Sequence, residues 1–374
     1  MISYVLPTRD RPERLKQTLR AIEALGDHRA CGGAEVVVVD NASAERWVMP
    51  RELAGGVAVR SIVLERNEGA AARNVGVAAS DPASEWIVML DDDSYPDDTE
   101  FLGRLREQPA DVAAVSADIW LASRAEKAAV RESGGLPEVF IGCGVAIRRG
   151  VFLDLGGYDP SFGYYVEEYD LAARMLLAGY RVGFDPLFSV THAKVAGGRD
   201  MNLILSRLVR NNGWVAQRYA PEPARLAELR EVRSRYRGIA EKERAVRGYG
   251  AGLAELRRTV RAQARRPMSD ALWDRFTGLA AAREALQWAF AQAPFRSAAV
   301  VDAGKNAWVV ARALEELGVR VMGEGEDAEV CVIGTMSPGP MLDAARRRMG
   351  ARVRGRVLLP WMVGAETAAV RVAA

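Results

Sequence analysis

Over residues 1 to about 190, short β-branched runs alternate with stretches of helical periodicity, and no other feature restricts the fold as tightly. Such alternation specifies strand–helix–strand units with right-handed crossovers. The product is a mostly parallel α/β sheet whose strand C-termini share one edge. Residues 2–6 form a candidate first strand, and 12–25 a helix with Leu15, Leu19 and Ile22 at helical spacing. Residues 35–39, 59–64 and 86–90 read as further strands, with a helix over 69–79 before the last. Ligands of α/β proteins bind at the edge where such strands end.

The rhythm changes downstream. Residues 224–290 are rich in Arg, Glu and Ala and read as long helices, with Ser269 the N-cap of the one carrying Leu272, Phe276 and Leu279. After Pro294 a βα pattern returns: strands at 298–301, 319–322, 329–333 and 353–359, and a helix at 307–317 closed by Gly318. The organisation expected is therefore a sheet domain over 1–220, a helical segment over 221–293 and a small Rossmann-like α/β module over 294–374. The loop Val300-Val301-Asp302-Ala303-Gly304-Lys305-Asn306 has one glycine where a dinucleotide fingerprint needs three, so the module reads as an accessory for acceptor recognition or assembly.

Composition removes several alternatives. A net charge of +2 gives no strong pull toward nucleic acid, although arginines cluster between Arg225 and Arg266. Cys31, Cys143 and Cys331 are odd in number and far apart, which builds neither a disulfide framework nor a zinc site. No signal peptide is evident at the start, and the apolar runs are too short to span a bilayer. The chain reads as cytoplasmic, with a peripheral membrane contact left open.

The strongest chemical signal is Leu90-Asp91-Asp92-Asp93 at the end of an apolar strand. Three adjacent carboxylates repel one another and need compensation. A hard divalent cation, Mg²⁺ or Mn²⁺, supplies it and can in turn hold a diphosphate. The alternative is a solvated acidic turn helped by Ser94 and Pro96.

Four segments carry a family resemblance. They are Val5-Leu6-Pro7-Thr8-Arg9, Val38-Val39-Asp40-Asn41, Asn67-Glu68-Gly69-Ala70-Ala71-Ala72-Arg73-Asn74 and Asp91-Asp92-Asp93. In this order and spacing, residues 1–195 resemble a family 2 glycosyltransferase of GT-A fold. The resemblance implies a GT-A-type mixed, mostly parallel sheet flanked by helices. It implies donor contacts from Pro7, Thr8, Arg9, Asp40, Arg73, Asp91 and Asp92, and a metal held by Asp91 and Asp93. For Asp40 a turn cap with Asn41 and Ser43 stays open, and for Arg73 an ion pair with Glu68 or Asp93.

The acceptor half resembles the family in Phe140–Arg149, with its small residues Gly142 and Gly144, and in Gly156-Gly157-Tyr158-Asp159-Pro160 followed by Val166-Glu167-Glu168-Tyr169-Asp170. The family often has Glu-Asp where this chain has Glu167-Glu168. By that alignment Glu168 is the catalytic base, with Glu167 its rival, while Asp170 is expected to bind Arg174 at i+4. His192, one of two histidines, matches a further metal ligand found in some members.

The implied chemistry is transfer of a sugar from a nucleoside-diphosphate donor, UDP- or dTDP-linked, by inverting displacement. The acceptor would be a small molecule, a glycan or a lipid-linked glycan. A sugar nucleotidyltransferase is the competing enzyme, but its Gly-rich loop is missing from Pro7-Thr8-Arg9-Asp10-Arg11-Pro12. A non-catalytic binding protein with a degenerate transferase domain is the competing class. The Gln-x-x-Arg-Trp segment of processive synthases is also missing, Arg210-Asn211-Asn212-Gly213-Trp214 being the nearest stretch, which favours transfer of one sugar or a few.

Overall fold

The computed structural model describes residues 1–26, 28, 32–45, 47–121, 129–194, 200–350 and 356–362. Cys31 and the first residues of the strand expected at 353–359 lie outside the described residues.

The chain opens with β1 (Ile2–Thr8), α1 (Pro12–Ala24), β2 (Ala34–Asp40), β3 (Glu52–Leu53), β4 (Val57–Val63), α2 (Ala72–Ala79) and β5 (Trp86–Met89). It continues through β6 (Ser94–Pro96), α3 (Glu100–Arg106), β7 (Val112–Trp120), β8 (Val145–Arg148), α4 (Arg149–Asp154), α5 (Glu167–Leu177) and β9 (Arg181–His192). These strands form one sheet in the order β3-β4-β2-β1-β5-β8-β7-β9-β6.

Strands β4, β2, β1 and β5 run parallel, β8 lies antiparallel between β5 and β7, and β9 is parallel to β7. The result is the mixed, mostly parallel sheet expected from the alternating rhythm. Burial explains the unbroken apolar runs: every residue of β2 and of β5 is buried, as a strand covered on both faces requires.

The helix expected from Gly69 begins later. Gly69–Ala71 is a 3-10 turn, and α2 follows at Ala72. Gly69 is left-handed at φ +64°, and a Cβ there would lie 2.3 Å from the carbonyl oxygen of Gly163. This contact between two cleft loops leaves room only for glycine. Strand β7 sets Val112, Val115 and Ile119 among small and polar residues, yet all nine of its residues are buried.

The second half begins with α6 (Met201–Tyr219), α7 (Glu222–Lys242), α8 (Val246–Thr259), α9 (Asp270–Thr277) and α10 (Leu279–Gln292). Ser269 caps α9 as the sequence predicts, its hydroxyl accepting the N–H of Leu272 at 3.3 Å. Arginines of α7 pair along their own helix, Arg225 with Glu222, Arg235 with Glu231 and Arg237 with Glu241. Among the described residues no helix is long and apolar enough to cross a membrane.

Then β10 (Ser297–Val301), α11 (Ala307–Glu316), β11 (Arg320–Met322), β12 (Val330–Ile333), α12 (Pro338–Gly350) and β13 (Arg356–Leu358) form a second sheet, fully parallel, in the order β11-β10-β12-β13.

This small sheet unit docks onto the loop that leads from β7 to β8. Arg131, stacked 3.9 Å over Trp120, bonds Asp118 at 2.7 Å and Asp343 of α12 at 2.8 Å. The Gly134 N–H donates to Ser337 Oγ at 3.0 Å, and Arg275 of α9 pairs with Glu138 at 2.8 Å. Arg131 thus spans the junction, paired with a carboxylate on either side of it.

Candidate active site

A cavity of about 1030 Å³ opens at the C-terminal edge of the large sheet. Its donor-side wall starts where β1 and β5 end. Thr8 Oγ1 donates to Asp92 at 2.8 Å, and Arg11 reaches from the start of α1 to Asp92 at 2.6 Å and to Asp93. Arg73, at the start of α2, donates to the Leu90 carbonyl at 3.2 Å and forms an ion pair with Asp91. Arginines thus compensate all three carboxylates of Asp91-Asp92-Asp93. Burial still pushes the Asp92 carboxyl up to about 6, against the pull of Arg11 and Thr8.

His192 arrives beside Asp93 because β6 pairs antiparallel with β9, setting Ser94 opposite His192. Its Nε2 lies 3.3 Å from Asp93 Oδ1, and its Nδ1 lies 3.0 Å from Glu132, which also accepts from Lys194 at 2.9 Å. Burial opposes the imidazolium, but bonds to Asp93, Cys143 and Glu132 push its pKa up to about 12. Burial would raise Glu132 too, yet His192 and Lys194 hold its carboxyl down at about 2.

Ligand atoms of Asp91, Cys143 and His192 lie within 4.8 Å of one another, close enough to share one cation. The residues present fit a divalent ion: a carboxylate and an imidazole converge with Asp93 adjacent. The outer imidazole nitrogen is held by a carboxylate, the arrangement that orients metal-ligating histidines.

The acceptor-side wall is built around the start of α5. Tyr165 and Val166 both take left-handed conformations, φ +70° and +75°, in the turn that delivers Glu167 and Glu168. For a β-branched residue this conformation is strained by about 1–3 kcal/mol and must be held from outside. The holder is the fully buried Asn211 of α6. Its Nδ2 donates to the carbonyls of Phe162 and Tyr164 at 3.1 Å each and of Tyr165 at 2.6 Å.

Glu168 faces the cavity, its Oε1 3.3 Å from the Gly142 N–H, and a Cβ on Gly142 would come within 3.1 Å of that oxygen. Glu167 is buried, and its Oε2 has no hydrogen-bond partner. Burial and the neighbouring Glu168 charge drive the Glu167 pKa well up. Burial raises Glu168 as well, against its backbone bonds and Arg73. Two adjacent carboxyls in a dry site cannot both be ionised cheaply, so the pair tends to share a proton.

Several residues singled out in the sequence sit elsewhere. Asp40 is buried and accepts the Ser43 N–H at 2.8 Å, while its neighbour Asn41 lines the cavity. Pro7, Thr8 and Arg9 line it as well. Asn74 supports the rim by exchanging bonds with the backbone of Tyr158 at 2.8 and 2.9 Å. Asp170 is fully buried and accepts from Arg174 at 2.9 Å, Arg218 at 2.8 Å and Tyr219 at 2.6 Å, which makes it part of the frame under α5.

The model of the glycosyl transferase family 2 matches residues 3–157, the segment that carries the whole donor-side wall except Glu132's partners His192 and Lys194. Residues 3–157 are thus similar to glycosyl transferase family 2. Three solved structures are similar to this chain. The structure of GalNAc-T7 with UDP, GalNAc and Mn²⁺ is 17% identical, covering 63% of this chain and 54% of that one at a TM-score of 0.48. The mannosyltransferase PcManGT from Pyrobaculum calidifontis, in complex with GDP-Man and Mn²⁺, is 16% identical, covering 84% and 86% at 0.45. Residues 1–349 of S. aureus TarS in complex with UDP-GlcNAc are 13% identical, covering 85% and 92% at 0.45. The chain thus spans about half the length of GalNAc-T7. No curated protein sequence matches it.

Sequence reasoning missed Arg11, Glu132, Asn211 and Lys305. Arg11 had a usable signal, an arginine two residues past a family-like strand end. The others act from loops or helices whose approach to the cavity no local pattern announces.

Proposed function

We propose that the protein is an inverting glycosyltransferase that takes a sugar from a nucleoside-diphosphate donor, with Glu168 as base. The observation that carries this reading is the opposition, across one cavity, of the Asp91–Asp93 edge with its two arginines and a carboxyl pair of raised pKa. Pro7, Thr8, Arg9 and Asn41 are placed to receive the nucleoside, with Asp40 shaping the turn beneath it. Arg11 and Arg73 supply positive charge where the diphosphate accumulates it.

Asp91, Asp93 and His192 would hold a divalent cation, Mn²⁺ or Mg²⁺, with Cys143 beside them. When bound, that ion neutralises charge on the departing diphosphate. Glu168 accepts the proton of the acceptor hydroxyl as its oxygen bonds to the anomeric carbon. The bond from that carbon to the diphosphate oxygen breaks, its electron pair leaves with the nucleoside diphosphate, and the configuration inverts. The elevated pKa of the Glu167–Glu168 pair places the base nearer the working pH than a free carboxylate. Cytoplasmic residence is supported by the free thiols of Cys143 and Cys331.

Thermal stability measured against a panel of nucleoside diphosphates, with and without Mn²⁺, tests the reading, because ligand binding stabilises by mass action. A metal-dependent shift, largest for uridine or deoxythymidine diphosphate and lost in Asp93→Ala, is the expected result. No shift with any diphosphate would leave a degenerate binding domain as the better account.

A further inference from the structure

The acceptor half of the cavity is closed by a residue from the other sheet. Lys305, in the loop between β10 and α11, lines the catalytic cavity together with Glu168 and Tyr169. Its Nζ bonds the Tyr169 hydroxyl and sits 4.0 Å from the centre of that ring. Among the described residues no carboxylate lies within ion-pair distance of it, whereas Arg11, Arg73, Arg131 and Lys194 around the same site are all paired.

The same lysine borders a second cavity of about 470 Å³, lined also by Ser133, Gly134, Thr335 and Ser337 and by Asp302, whose carboxylate is paired with Arg347 and Arg348. This second space lies beyond the strand ends of β10 and β12. The sheet order β11-β10-β12 makes that the point where connections diverge to either side, the place where parallel sheets take ligands. Lys305, Ser133 and Gly134 are common to both cavities.

We propose that the sugar acceptor carries an anionic group, a phosphate or a carboxylate, seated on Lys305 where the two cavities meet. This rests on the transferase reading and adds the chemical class of the acceptor. A half-buried ammonium with only a phenol for company is poorly compensated, and an arriving anion supplies what is missing. The physical state of the lysine agrees. Burial, with the nearby Arg235 charge, pulls its pKa down to about 7, against the pull of Glu168. Binding of an anion would restore the charge and take up a proton. Thr335, whose hydroxyl accepts the Ser337 N–H at 3.3 Å, lines the same second cavity. Seated there, the anion leaves the rest of the acceptor to extend along the Tyr169 side of the cavity toward Glu168.

Two measurements on the full chain test this. In the first, each monosaccharide of an acceptor panel is offered as the neutral sugar, its 6-phosphate and its uronate. Transfer to one anionic form should exceed transfer to the neutral form at least tenfold. Lys305→Ala should collapse that ratio through KM while Lys305→Arg retains it. Equal use of charged and neutral forms, or an equal loss on both in Lys305→Ala, overturns the proposal.

In the second, the protein is treated with pyridoxal 5′-phosphate and borohydride, and the modified lysines are located by peptide mass spectrometry. Lys305 should be trapped, and inorganic phosphate or acetate should protect it several-fold. Stronger protection by phosphate assigns a phosphorylated acceptor, and stronger protection by acetate a carboxylated one. No labelling of Lys305, or labelling that neither anion slows, overturns the proposal even when no panel sugar is a substrate. Loss of the Mn²⁺-dependent diphosphate shift in the wild-type protein would instead count against the transferase reading itself.

Discussion

The two walls of the cavity solve opposite problems. On the donor side, acids and bases are paired before any ligand arrives: Arg11 with Asp92 and Asp93, Arg73 with Asp91, His192 with Glu132. On the acceptor side, charges are left under-compensated: Glu167 has an oxygen with no partner, Glu168 is held by one backbone N–H, and Lys305 has no counter-ion among the described residues. The first wall is preorganised to hold a charged ligand in place, which minimises reorganisation when negative charge develops. The second stores electrostatic and backbone strain, Tyr165 and Val166 included, where a proton must move. Stability lies on one side and reactivity on the other, the trade-off expected of an enzyme cleft.

Substitutions can break this contrast. The largest effect is expected from Glu168→Gln, which should lower turnover by about 10²–10⁴-fold while diphosphate binding stays within about twofold of wild type. Single-turnover kinetics with bound donor would check it, and normal turnover would pass the role of base to Glu167. Next comes Glu132→Gln on the donor side. Removing the carboxylate behind His192 should weaken Mn²⁺ binding about 10–100-fold, measured by calorimetry, with little change in metal-free diphosphate binding. Asn211→Ala should cost about 1–3 kcal/mol in denaturant unfolding, because three backbone carbonyls of the turn lose their donor. It should also slow turnover, since the strained turn before Glu167 is then free to relax.

The smallest effect sharpens the contrast by its sign. The folded pKa of Glu167 lies above its unfolded value, so the folded state binds more protons between the two. The stability this group contributes is fully present below the unfolded pKa, near 4.3, and is lost as pH rises through the folded value. Glu167→Gln removes that loss. At neutral pH the variant should therefore melt about 1–2 °C higher than wild type, a gain of roughly 1 kcal/mol, and the difference should vanish near pH 4. A lower melting temperature at neutral pH would mean that Glu167 is ionised and satisfied.

The same contrast explains what could be read in the sequence. The donor wall is assembled largely from strand ends, so Pro7, Thr8 and Asp91–Asp93 each sit in a local pattern of apolar strand followed by polar loop, while Arg73 is the charged residue of a helix otherwise made mostly of Ala, Val and Gly. His192 was legible for the same reason, at the end of β9. Strand β7 was not, because Ala113, Ala114, Ser116 and Ala117 carry little β signal and are buried by tertiary packing. Nor was the acceptor wall. Asn211 lies on the buried face of a long helix, Glu132 in a loop without periodicity, and Lys305 in a different sheet unit. Their meeting is a consequence of docking, to which periods of 2 and 3.6 residues are blind.

The loop at 131–139, gripped on one face by Asp118 and on the other by Asp343 and Ser337, has a bearing on how this protein can be taken apart. The family match ends at residue 157, but the loop is also attached beyond it, to His192, Lys194, Arg275, Ser337 and Asp343. A chimera that exchanged the C-terminal sheet for a relative's would keep Glu132 on His192 and Lys194 but lose the Asp343 and Ser337 contacts that hold its neighbours Arg131 and Gly134. Recombination between such chains would succeed only where loop and sheet travel together. Exchange of the C-terminal sheet would therefore act on the loop that carries Glu132, although the two are encoded some two hundred residues apart.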